Sequence, residues 1–146
     1  MKSFPLQTLL DLSNARMDDA ARQLGQLLTS EQDVENTLAV LHKYREEYES
    51  RFRQAAQNGI SRDEWGNYQS FLCRLDDAIA QQNALVDASK QRTSDGQKEW
   101  LERRNKVKAF DTLSQRHKEH EFRNEAKSEQ RDQDEHAAKG FRTRDD

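Results

Sequence analysis

Proline occurs once in this chain, at Pro5, and glycine only five times in 146 residues. These two residues are the main punctuators of backbone structure, so their scarcity leaves few places where a helix has to stop. Cysteine is also single: Cys73 has no partner in the chain for a disulfide, which fits a reducing compartment. No apolar run approaches the ~20 residues of a membrane span. The segment Met1 to Leu12 lacks the apolar centre of a signal peptide. Hydrophobic residues amount to 33% and aromatics to 8%, too little for a core several layers deep. Nor does one sign of charge dominate. Lys and Arg total 24 against 27 Asp and Glu, a formal charge of −3 with both signs interspersed. That balance argues against nucleic acid as the main partner. These absences lead to the expectation of a soluble, cytoplasmic, non-globular chain.

What is abundant is charge, at 35% of residues, and the helix formers Ala, Glu, Lys, Leu and Arg. Disorder competes with coiled coil for so polar a composition, and periodicity decides between them. A three-four spacing runs through Leu10, Ser13, Met17, Ala20, Leu24, Leu27, Glu31, Val34, Leu38, Leu41, Arg45, Tyr48, Phe52 and Ala55. All but Ser13, Glu31 and Arg45 are apolar, so a seam persists for about six heptads.

The rhythm breaks at Asn58-Gly59, two residues that accept positive φ at little cost. Ser61 with Glu64 then reads as a capping box, and Ile60 with Trp65 has the spacing of a hydrophobic staple. A second seam follows through Trp65, Tyr68, Leu72, Leu75, Ile79, Gln82 and Val86. Ser89, Thr93 and Gly96 weaken it, because Thr93-Ser94-Asp95-Gly96 is poor helix material. Trp100, Val107 and Phe110 restore it, with Leu101 and Leu113 alongside.

The fold class is therefore all-α: two long helices in an antiparallel coiled-coil hairpin. The boundaries read as a helix over 5–57, a turn at 58–61 and a helix over 62–139, with a loosened or kinked stretch at 88–97 and a loose tail at 140–146. Folding at Gly59 pairs residues whose numbers sum to about 118. At 1.5 Å per residue the first helix spans about 80 Å and the second about 115 Å. The second helix then overhangs by roughly thirty residues, beginning near Leu113.

Catalytic chemistry finds no foothold. There is no glycine-rich phosphate loop, no nucleophile with an evident base, and no strand pattern to hold one, so no enzyme and no cofactor is expected. Cys73, between Leu72 and Leu75, reads as an inert helical thiol. His117 and His120 share a helical face but lack the third ligand and supporting shell of a metal site. The run Arg103, Arg104, Lys106 and Lys108 reads as a solvated or protein-docking face.

One surface is less ordinary. Leu41, Tyr44 and Tyr48 lie at i, i+3, i+7, and Phe71, Leu75 and Ala78 at i, i+4, i+7. The mirror register makes the two triplets neighbours. A two-helix seam buries only a narrow stripe from each helix, so some of these side chains should stay exposed as a docking patch.

At these residues the chain resembles the FliJ family of flagellar export proteins. The likeness rests on Phe4-Pro5-Leu6-Gln7-Thr8-Leu9-Leu10, on Tyr44-Arg45-Glu46-Glu47-Tyr48, and on Trp65 to Leu72. It rests also on Lys108 to Leu113 and on the charged tail with Asp134-Glu135-His136-Ala137-Ala138. The resemblance implies a coiled coil similar to the central stalk of rotary ATPases. It implies that this stalk associates with the hexameric export ATPase, links it to the cytoplasmic domain of the export gate FlhA, and handles export chaperones. It implies a cytoplasmic location, peripheral at the inner-membrane base of the flagellum. The gate-contacting face it implies is Leu41, Tyr44, Tyr48, Phe71, Leu75 and Ala78, with Gln82 added by the resemblance alone. By stalk analogy the end bearing both termini meets the ATPase ring, with Leu6, Leu10, Met17 and Arg116 as its candidate contacts. Two alternatives stay open: the equivalent stalk of a virulence secretion system, and a generic dimeric coiled-coil scaffold or holdase.

Overall fold

The computed structural model describes residues 2–145, with side chains for residues 2–142. Two helices account for nearly all of it, α1 over Gln7–Asn58 and α2 over Arg62–Asp145. The chain forms two compact units, one of Ala20–Trp100 and one of Met1–Asp19 with Leu101–Asp146.

The turn between the helices follows from its residues. Gly59 takes φ 85°, a left-handed conformation that costs glycine nothing and an L side chain about 1–2 kcal/mol. Its N–H reaches back to the Ala56 carbonyl at 3.3 Å, closing the end of α1. The Ser61 hydroxyl oxygen accepts a bond from the Glu64 N–H at 3.1 Å, and the Trp65 N–H donates to the Ser61 carbonyl at 3.0 Å. Asp63 and Glu64 add negative charge to the first turn of α2, where the helix dipole favours it.

In the Ala20–Trp100 unit the helices pair antiparallel in the expected register. Tyr48 meets Phe71 and Tyr68, Phe52 meets Tyr68 and Trp65, and the Gln82 amide donates to the Val34 carbonyl at 2.9 Å. Ala20, Leu72, Leu75, Ile79 and Val86 are buried, and the remaining α1 seam positions of this unit are half-buried.

The stretch 88–97 differs from expectation. It stays helical throughout, and Ser89, at 2% exposure, is the most deeply buried side chain described. Small residues here let the helices draw together instead of loosening. A Cβ built on Gly96 would stand 2.6 Å from the Leu27 Cδ1. The Thr93 hydroxyl lies 3.1 Å from the Ser89 carbonyl on its own helix and 3.5 Å from the Leu27 carbonyl across the seam. The Thr93 hydroxyl is thus spent on backbone carbonyls, and side chains that are weak helix formers in isolation gain a packing role.

In the other unit Leu10, Val107 and Ser114 are buried at 6% each. Two boundaries shift. Helix α1 begins at Gln7 rather than Pro5, because Pro5 and Leu6 form a turn closed by the Gln7 N–H on the Phe4 carbonyl at 3.1 Å. The residues before that turn still pair with α2: the Phe4 ring lies 5.6 Å from the His117 ring, and His117 Nε2 is 3.2 Å from the Lys2 carbonyl oxygen. Extended residues advance about twice as far as helical ones, so this short leader carries the pairing past Leu113 to His117. From Phe122 through Arg142 every described side chain of α2 is exposed. The second correction is at the far end, where α2 does not stop at Lys139 but runs through Gly140 to Asp145. Glycine in a helix costs about 1 kcal/mol, which weakens a helix without ending one. Asp146, the last residue of the expected tail, lies outside the described residues.

Candidate docking site

The distal part of the hairpin places large side chains where the seam has room for only half of each. Phe71, Tyr48, Tyr68, Phe52 and Trp65 form an aromatic ladder that alternates between the helices, with Tyr68 at its centre. The Tyr48 ring is 4.2 Å from Phe71 and 5.2 Å from Tyr68, while Phe52 is 5.4 Å from Tyr68 and 6.5 Å from Trp65. The rings are tilted 43–55° to one another, an arrangement that suits their quadrupoles and adds about 0.5–1.5 kcal/mol per pair beyond burial. The two ends of the ladder remain open to solvent, Trp65 at 50% and Phe71 at 38%, as does Tyr44 one turn from Tyr48 at 57%.

Between Tyr44, Tyr48, Phe71 and Leu75 lies a shallow groove of about 330 Å³, with Glu47 and Arg51 on its rim. Its position is fixed by a cross-helix ion pair. The Arg45 guanidinium donates to Asp76 at 2.5 Å and to Glu49 at 2.8 Å. The hydrogen bond to Asp76 is the largest cause of an Arg45 pKa raised above its ordinary value, so Arg45 stays cationic throughout. A charge therefore occupies a seam position just beyond the Tyr48–Phe71 end of the aromatic ladder and links the two helices there.

Four of the seven residues expected in the patch, Tyr44, Tyr48, Phe71 and Leu75, line this groove, and Leu41 and Ala78 lie outside its lining. Leu41, Tyr48 and Ala78 are half-buried, Leu75 is buried at its floor, and Tyr44 and Phe71 are exposed. Gln82 differs, since its amide is turned inward onto the Val34 carbonyl. It holds the two helices in register below the patch.

The four residues expected near the termini divide. Leu6 and Arg116 are exposed and Met17 is half-buried, whereas Leu10 fills the seam at 6% exposure and offers little to a partner. His117 and His120 are directed to different neighbours, His117 to Lys2 and His120 to Asn124 at 3.1 Å. The Cys73 thiol is exposed. Among the described residues, no helix is long and apolar enough to cross a membrane.

Sequence reasoning missed one feature near the termini. Arg16, Arg103 and Lys106 converge around Ser13, and next to them lies an apolar groove lined by Leu9, Leu12, Phe110 and Leu113. The signal was available in apolar residues doubled beside seam positions, as in Leu9 before Leu10 and Leu113 before Ser114.

The fold and the site define a class: an antiparallel coiled-coil protein whose distinctive feature is an exposed aromatic face. Comparison with known proteins gives the family. The Flagellar FliJ protein family model matches residues 1–146. The Flagellar FliJ protein of Salmonella typhi is 36% identical over 111 residues, 76% of each chain. That of Escherichia coli K12 is 32% identical over 111 residues, again 76% of each chain. The chain belongs to the FliJ family of flagellar export proteins. Among solved structures, a chain described as a YscO homologue, CT670 of Chlamydia trachomatis, superposes with a TM-score of 0.72 over 92% of each chain. At 17% identity that likeness concerns the fold alone.

Proposed function

We propose that this protein is a non-enzymatic stalk of the flagellar type III export apparatus, joining the hexameric export ATPase to the cytoplasmic domain of the export gate FlhA. The observation that carries the reading is the Tyr44–Tyr48–Phe71 groove, exposed in a member of an export family. Partly exposed aromatics on a rigid support are the side chains that most often dominate binding energy at an interface. The gate contacts Leu41, Tyr44, Tyr48, Phe71, Leu75 and Ala78, while Gln82 and Arg45 keep the two halves of that face in register. The ATPase ring contacts the end bearing Leu6, Met17 and Arg116, and export chaperones are handled by the same protein in the cytoplasm at the membrane base of the flagellum.

The test is a pull-down of the gate's cytoplasmic domain with Tyr44→Ala/Phe71→Ala. Capture should fall at least about tenfold, as hot-spot truncation predicts, with helicity by circular dichroism unchanged. Undiminished capture and normal swimming would remove the patch assignment. A second reading is the equivalent stalk of a virulence secretion system, which the same antiparallel two-helix fold would serve. Complementation of flagellar and injectisome deletion strains separates the two. A generic scaffold would instead sediment as a stable dimer.

A further inference from the structure

The start of α1 and the Leu101–Leu113 stretch of α2 carry a second apolar stripe beside the seam. Leu10, Val107 and Ser114 are buried between the helices, yet Leu9, Leu12 and Leu113 are 46%, 45% and 41% exposed. Isolated exposed leucines need no explanation, but these converge. With Ala109 and Phe110 they form a groove of about 480 Å³.

The groove is not uniform along its length. Leu9, Leu12 and Arg16 follow i, i+3, i+7 on α1, and Lys106, Ala109 and Leu113 follow the same spacing on α2. In the antiparallel pairing the leucines share one end, and Arg16 and Lys106 share the other. Arg103 joins those two cations around Ser13, and among the described residues no carboxylate lines either hollow. Two matched stripes flanking a two-helix seam are the receiving surface for a third helix, whose knobs enter between them.

We propose that this groove docks an amphipathic α-helix of a partner protein that sets apolar side chains against Leu9, Leu12 and Leu113 and an acidic turn against Arg16 and Lys106. Charge decides the occupant. A second copy of the groove would bring its own Arg16 and Lys106 against leucines or against the same cations, with no carboxylate to meet them. Leu6, Met17 and Arg116 take no part in the groove, so this docking stands whether or not the ring contact does.

The probe is a synthetic helical peptide of about 18 residues, long enough to hold helical structure. It carries leucines on one face and glutamates at one end, and binding to the full chain is followed by fluorescence anisotropy. Lysines replace the glutamates in one control and serines replace the leucines in another. The acidic peptide should bind about tenfold or more tightly than either control, the usual scale of complementary against opposing charge. Leu9→Ser/Leu113→Ser should abolish that binding with helicity intact. Arg16→Glu/Lys106→Glu should reverse the preference in favour of the lysine peptide. Equal binding of the acidic and basic peptides, no binding, or indifference to both double variants would overturn the proposal. Self-association of the full chain that Leu9→Ser/Leu113→Ser removes would also overturn it, assigning the face to a second copy.

Discussion

Two stretches of the same seam, about five turns apart on α2, solve the pairing problem in opposite ways. Around Tyr48, Tyr68 and Phe71 the facing side chains are large. The rings stack at 4.2–5.4 Å and spill outward until Tyr44 and Phe71 stand in solvent. Around Ser89, Thr93 and Gly96 they are small, and the space that side chains would fill is taken by Leu27 and by backbone. A seam two helices wide has a fixed capacity, so residue size sets how closely the helices approach. Where residues are too large for that capacity, the excess becomes surface. The exposed aromatic face is thus the by-product of overfilling, and the tight stretch below it supplies a close fit.

The comparison can be broken most strongly at Gly96. Gly96→Leu places a branched side chain where a Cβ already meets Leu27 at 2.6 Å. Overpacking of about 1–3 kcal/mol outweighs the helix propensity gained, up to ~1 kcal/mol. We predict a lower melting temperature by circular dichroism. Gly96→Ala should be nearly neutral, because the tip of Leu27 can rotate away. A Leu variant as stable as the parent would contradict the close-approach reading.

A smaller effect is expected in the overfilled stretch. Arg45→Ala removes the link to Asp76, but the Arg45 side chain is 35% exposed and the Asp76 side chain 53%. Solvent screening keeps the loss in urea denaturation well below that of Gly96→Leu. A loss as large as that of Gly96→Leu would mean that Arg45 anchors the core and not merely the register. The smallest effect sharpens the contrast. Tyr44→Ala should change stability by less than about 0.5 kcal/mol, as at most exposed positions, while weakening gate binding. Destabilisation comparable to that of Gly96→Leu would show that Tyr44 is seam and not surface.

Much of this was legible beforehand. The fourteen α1 seam positions from Leu10 to Ala55 are all buried or half-buried, because a three-four repeat leaves only one face apolar. The turn was legible because Gly59 and the Ser61–Glu64 cap act through neighbours in sequence. The aromatic patch followed once spacing was combined with the mirror register. The stretch at 88–97 was misread because propensity describes an isolated helix, whereas Ser89 and Gly96 are selected by what lies across the seam. Gly140 was misread for a related reason, since a glycine without the capping geometry of Gly59 does not end a helix.

By itself the sequence determined the helices, the position of the turn, the register and the family, since each depends on local chemistry or on a repeat with a fixed period. Only the tertiary structure decided which side chains are left over. Tyr44 outside and Leu75 inside, Gln82 turned onto Val34, Leu10 buried beside an exposed Leu9, and Arg16 brought to Lys106 all depend on distances between helices. Those distances are set by the bulk of residues far apart in the chain, which a one-dimensional pattern does not record.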